Sequence, residues 1–242
     1  MGIFNASARL GAAILSLAMI FSVPASAGET AVLELFTSQG CSSCPPADKL
    51  LEKVADQPGI VALSFPVDYW DYLGWRDTLA SPAYSARQRG YAERRGDRSV
   101  YTPQIVVNGG PHMVGSDARA IAAHLRAASA MPCDVDVKAA GELIEIEIDG
   151  DLPEGTKSAT VFFLFVDSSE TVQIGRGENT GRTITYTNIV RDMRAVGMWK
   201  GGKASFSLPA SELERMKTDR FAALVQIEER GRPGPILGAA IH

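Results

Sequence analysis

Cys41-Ser42-Ser43-Cys44 is the stretch of this 242-residue chain whose residue types and spacing bear most directly on chemistry. A thiolate is both a nucleophile and a soft metal ligand. If Cys41 attacks a partner's disulfide or thiol, Cys44 is close enough in the chain to resolve the mixed disulfide that results. Three chemistries share this spacing: dithiol–disulfide exchange, capture of a soft ion such as Cu(I), and an inert disulfide that staples a loop. A zinc ribbon or finger needs a second pair of ligands, whereas the histidines are confined to His112, His124 and His242. Cys133 stands alone, and three cysteines in a chain this long do not make a disulfide-stapled scaffold.

The elements around the pair are legible. Residues 31–36 are nearly all apolar, as in a strand buried on both faces. Residues 37–40 form a loop into Cys41. After Pro45-Pro46, the residues Ala47, Leu50, Leu51 and Val54 recur at amphipathic-helix spacing, and proline is tolerated in a first helical turn. Pro58-Gly59 stops that helix, and residues 60–65 read as a second buried strand. A helix N-terminus directly behind the pair favours the thiolate through its free N–H donors and dipole. This arrangement predicts Cys41 at an exposed mouth and Cys44 one turn in. Glu34, inside the first strand, is either a buried base for Cys44 or a solvated or paired strand-end carboxylate.

Further along, residues 66–75 mix Tyr69, Trp70, Tyr72 and Trp75 with Asp68 and Asp71, which suits either core packing or one wall of a peptide groove. Ser81-Pro82 opens a helix to about Arg95, with Arg87, Arg89, Arg94 and Arg95 expected on a solvated face. Thr102-Pro103 precedes a short apolar strand, Asn108-Gly109 marks a hairpin, and Asp117 caps a helix bearing Ile121 and Leu125. Beyond about residue 132, Ile144, Ile146 and Ile148 alternate with acidic residues. That alternation, with further strands at 161–166, 183–190, 204–208 and 221–227, predicts an antiparallel β-sandwich. A short helix at 211–217 carries a capping-box pair, Ser211 and Glu214. The glycine-rich segment 177–182 reads as a hairpin loop.

The order strand, CxxC, helix, strand, Thr-Pro, strand, hairpin, helix resembles the thioredoxin superfamily over roughly residues 30–130. That resemblance implies a cis-proline at Pro103 lying against the dithiol, with Thr102 offering its backbone to an extended substrate; a trans proline opening the strand is the plainer alternative. It also implies a role for Glu34 as the carboxylate under the dithiol. Ser42-Ser43 departs from the dipeptides usual in that superfamily, so the direction of electron flow is left open. The string from Phe36 to Asp48, with Gly177-Glu178-Asn179-Thr180-Gly181-Arg182, is similar to a secreted thioredoxin-like family known as domain of unknown function 1223.

Residues 1–27 combine Arg9, a short apolar run and Ala25-Ser26-Ala27, the pattern of a cleaved secretory signal peptide. Their removal leaves 215 residues and shifts the net charge from −4 to about −5. Such a chain has no electrostatic footprint for nucleic acid, and nothing later in it suits a membrane span. The expectation is therefore an exported, periplasmic or extracellular protein. Its thioredoxin-like α/β domain covers 28–131, with an insertion at about 66–100, and a small all-β, sandwich-like domain covers 132–242. The candidate site comprises Cys41 and Cys44, supported by Thr102, Pro103, Glu34 and Trp70. It needs no cofactor unless the pair takes copper, and its partner is a protein thiol or disulfide in the cell envelope.

Overall fold

A computed structural model describes residues 1–2 and 31–242; the expected signal peptide beyond residue 2 and its cleavage site lie outside them. The chain is mixed α/β. In order it forms β1 (Ala31–Thr37), α1 (Pro45–Ala55), β2 (Ile60–Pro66), a 3-10 turn (Asp71–Leu73), α2 (Pro82–Arg95), β3 (Gln104–Val107), β4 (His112–Val114) and α3 (Ala118–Ala127). Then follow β5 (Cys133–Ala140), β6 (Leu143–Gly150), β7 (Ala159–Gln173), β8 (Thr183–Trp199), β9 (Ala204–Pro209), α4 (Ser211–Met216), β10 (Arg220–Glu229) and β11 (Arg232–Ile241). Eight strands make one mixed sheet, ordered β11-β10-β7-β8-β2-β1-β3-β4, and β5-β6-β9 make a small antiparallel sheet. The large sheet thus draws strands from both sides of residue 131.

The βαβ unit forms as its pattern predicts: β1 and β2 pair in parallel, with α1 as the crossover. Alternation along β1 sends Leu33 and Leu35 to the face covered by α1 and α3, where they meet Ala47, Leu51 and Ile121. Val32 and Phe36 go to the other face, against Tyr84 and Tyr91 of α2. At the β3–β4 hairpin Asn108 and Gly109 both take positive φ, 49° and 67°, which a tight antiparallel turn favours. Asp117 caps α3 through Arg119 N–H and Ala120 N–H, and Ser81 caps α2 through Ala83 N–H. The small sheet stacks on β7, β10 and β11, burying Ile144, Ile146 and Ile148 against Phe163, Phe165 and Val225.

Three expectations are corrected. Strand β7 outruns 161–166 where Ser169–Gln173 pair with Thr187–Thr183 in an arm, and β8 outruns 183–190 where Asp192–Trp199 pair with Phe165–Ala159. At α4 the N-cap is Ala210, with no side-chain cap, so Ser211 and Glu214 do not form a capping box. Arg87 leaves the solvated face expected for it and Arg95 is half-buried against Tyr91 and Asp97, while Arg89 and Arg94 stay exposed. For Arg87 the reason is a buried carboxylate. Arg87 Nε donates to Glu34 Oε1 at 2.7 Å, and Nη2 donates to Tyr91 Oη and Gln226 Oε1. Breaking a buried pair strands the remaining charge. Glu34→Ala is therefore expected to lose about 3–5 kcal/mol in urea unfolding, and Glu34→Leu combined with Arg87→Met much less.

Candidate functional site

Strand β1 ends by delivering the chain into a tight turn that places Cys41 and Cys44 at disulfide distance, with Cα atoms 5.4 Å apart and the sulfurs bonded. Cys41 N–H donates to Ser38 O and Cys44 N–H to Cys41 O, so the turn is closed by its own backbone. Cys44 is the N-cap of α1 rather than one turn inside it. Cys41 is 4% exposed and Cys44 0%, so the expected open mouth is roofed; Ser42 and Ser43 take the exposed positions.

Two segments distant in sequence form that roof. From residues 66–81, Trp70 packs against Gly40, where an added Cβ would lie 3.0 Å from the Trp70 Cβ. Trp70 Nε1 donates to Thr102 Oγ1 at 2.7 Å, and its ring stacks on Tyr72, which is 76% exposed. Trp75 Nε1 donates to Gln39 Oε1, and Asp77 accepts the Gln39 N–H at 2.7 Å. The Thr102–Pro103 bond is cis. Pro103 lines the same small space as Ala47 of α1, since a Cβ on Gly115 would lie 3.1 Å from Ala47 and 3.2 Å from Pro103. Thr102, Pro103 and Trp70 are thus brought together beside the cysteine turn.

The second segment is the tip of the β7–β8 arm. Asn179, fully buried, donates through Nδ2 to the carbonyls of Gln39 and Cys41, both at 2.9 Å. Glu178 Oε2 accepts from Ser42 N–H at 3.4 Å. A loop read as a hairpin turn, with binding at Glu178, Asn179 or Arg182 as the alternative, therefore bonds to the cysteine turn. Nothing local in residues 177–182 forecasts this, because the contact spans 138 residues of chain.

Glu34 is buried, yet it sits on the α2 face of the sheet and is engaged by Arg87 and Tyr91, away from the face that α1 covers. The carboxylate on the α1 side is Asp48, missed in the sequence although it lies at the i+4 position from Cys44 and so on the same helix face. Asp48 Oδ1 accepts from Thr37 Oγ1 at 2.7 Å, and Oδ2 has no partner. Burial, with a smaller contribution from nearby Asp77, raises Asp48 to about 7 despite the Thr37 bond. Burial likewise raises Asp77. Tyr186 Oη, pushed up by burial and by these two carboxylates, is also unpartnered. Asp48, Asp77 and Tyr186 thus form one buried cluster of mutually interacting groups near the cysteine turn.

The other candidates lie elsewhere. Cys133 is a free thiol in the core between the two sheets, raised to about 12 by burial. His112 bonds Tyr101 Oη, and His124 is an exposed residue of α3. Among the described residues no three His, Cys, Asp or Glu side chains gather as a metal site. Among them, too, no helix is long and apolar enough to cross a membrane.

Comparison with known proteins adds the following. The family described as "Protein of unknown function (DUF1223)" matches residues 32–226. A crystal structure of a protein from Agrobacterium tumefaciens is 38% identical, covering 88% of this chain and 94% of that one, with a TM-score of 0.78. HBP35 of Porphyromonas gingivalis shares the fold at 12% identity, with a TM-score of 0.57 over 89% of this chain and 75% of that one. A protein of Archaeoglobus fulgidus named "Probable Thioredoxin" is 43% identical over 37 residues, which are 15% of this chain and 41% of that relative's length.

The raised carboxyl of Asp48 has a consequence for stability. Its folded value, about 7, exceeds the ordinary 3.8, so the folded state holds a proton that the unfolded state gives up between those values. Stability should therefore fall as pH rises from about 4 to 7 and then level off. Asp48→Asn is expected to flatten that slope, as measured by urea midpoints across the range.

Proposed function

The chain belongs to the DUF1223 family, and on that premise we propose that it is an exported thiol–disulfide oxidoreductase acting on a protein thiol or disulfide in the cell envelope. Residues 28–131 act as a thioredoxin-like unit, and the sandwich-like part at 132–242 supplies the arm that holds the site. One observation carries the assignment: two cysteines at disulfide distance at the start of α1, with Trp70 packed on Gly40 and bonded to Thr102 beside their turn. The short match to a protein named as a thioredoxin supports it, as does the signal-peptide pattern of residues 1–27.

In this mechanism Cys41 is the attacking sulfur and Cys44 resolves the mixed disulfide. Asp48, one turn along α1 and half-protonated near pH 7, takes the Cys44 proton in the resolving step and returns it in the reverse direction. Thr102, Pro103 and Trp70 flank the entering partner. The burial of both cysteines favours a second reading, a disulfide that simply staples the end of β1 to α1.

Trapping separates the two. Cys44→Ala, expressed with its own leader, is expected to accumulate a mixed disulfide with an envelope partner, and Cys41→Ala to abolish both trapping and dithiol exchange. A Cys44→Ala protein with no partner attached, together with a pair that resists reduction by excess glutathione, would favour the staple. Within the exchange mechanism, Asp48→Asn is expected to slow resolution about 10²-fold near pH 7 in single-turnover measurements, leaving the first attack little changed.

A further inference from the structure

The groups around the cysteines bear on the direction of electron flow. A CxxC oxidant favours its dithiol form by stabilising the attacking thiolate with free N–H donors and cations. Of the N–H groups from Ser42 to Asp48, all but that of Ser43 are missing or taken. Pro45 and Pro46 open α1 without N–H groups. Ala47 N–H and Asp48 N–H both donate to the Cys44 carbonyl, and Cys44 N–H donates to Cys41 O. Ser42 N–H is directed at Glu178 Oε2. The neutral Ser43 hydroxyl lies 3.4 Å from the Cys41 sulfur.

Among the described residues, every charged side chain that bonds to residues 37–44 is acidic. Helix α1 contributes buried Asp48 and exposed Lys49; the segment after β2 contributes Asp71, exposed Arg76 and buried Asp77; the arm tip contributes Glu178 with exposed Arg176 and Arg182. Residues 101–104 carry no charge. Among the described residues, Glu178 meets Ser42 N–H, Asp77 meets Gln39 N–H and Asp48 meets the Thr37 hydroxyl. None of the four cations bonds to residues 37–44.

We propose, resting on the exchange mechanism above, that the Cys41–Cys44 dithiol is an electron donor that reduces a partner disulfide, and that Glu178 is the positioning residue that holds it to that direction. Cys41 thiolate attacks one sulfur of the partner disulfide, whose S–S bond breaks, and the departing sulfur takes up a proton. Cys44 gives its proton to Asp48 and attacks the Cys41 sulfur; the second partner sulfur leaves and is protonated. Two electrons and two protons have then passed to the partner, leaving two thiols there and a disulfide here. A separate protein dithiol restores the reduced pair by the reverse exchange. The Glu178 carboxylate occupies the N–H of Ser42, the residue after the attacking cysteine, and brings a negative charge to the turn. Both effects withdraw support from the thiolate and so from the dithiol form.

Two measurements test this. The reduced wild-type chain, mixed with an equal amount of oxidised glutaredoxin, is expected to finish at least about threefold more oxidised than reduced. Exchange that leaves the pair mostly as dithiol would overturn the donor direction while the exchange mechanism stands; no exchange with any disulfide would overturn both. Glu178→Gln, at an exposed position, is expected to move the pH profile of Cys41 alkylation about half to one unit lower. It should also shift the equilibrium with glutathione toward the dithiol by about threefold to tenfold above the profile midpoint and by little below it. Arg182→Gln, on the same loop, serves as the comparison and should stay within about twofold of wild type. A Glu178→Gln profile that matches wild type would remove Glu178 from this role.

Discussion

A carboxylate at the centre of a fully buried strand must be matched by a cation or be neutralised, and Glu34 is matched by Arg87. That pairing fixes the rotation of α2 about its axis. Tyr91, one turn after Arg87, donates to the second Glu34 oxygen at 2.5 Å, and Gln226 of β10 bonds both Arg87 and Tyr91. With α2 so oriented, Ser85 donates to Asp68, and Gln88 bonds Tyr69, the Tyr101 carbonyl and Gln104. Those partners anchor the two segments that carry Trp70 and Thr102. The ion pair on one face of the sheet therefore positions the roof over the cysteines, which lie toward the other.

The cysteine turn itself is short of backbone partners. The Gln39 carbonyl has no backbone donor and the Cys41 carbonyl has one, from Cys44 N–H, and a buried carbonyl without a donor is costly. Asn179 answers both at once from the tip of an arm whose root is in the second half of the chain. The arm's strands are held mainly by their own cross-strand pairing and by packing of β8 on α1. Asp48, Tyr186 and Asn179 each keep a buried polar atom without a protein partner. Unsatisfied buried groups are few in folded proteins, and three around one turn are a departure from stability rules of the kind found at working sites.

Local patterns carried a good deal of this. The apolar runs of β1 and β2, the stripe Ala47–Leu51 of α1, the Asn108-Gly109 turn and the Ile144–Ile148 alternation all read correctly, because each depends on neighbours a few residues away. The arginine of α2 that turned inward did not, since its reason is a carboxylate 53 residues earlier. Asp48 was legible in principle. Its i+4 offset from Cys44 was present, but an acid beside an apolar stripe ordinarily points to solvent.

By itself the sequence determined the βαβ unit, the placing of Cys41 and Cys44 at the head of a helix, and the order in which Thr102-Pro103 follows, because hydrophobic period and proline position act over single elements. Only the tertiary structure decided which buried carboxylate stands behind the pair, how little of Cys41 is exposed, and that Asn179 and Glu178 border it. Those outcomes depend on which sheet face a residue occupies and on pairings more than a hundred residues apart, and chain topology sets both.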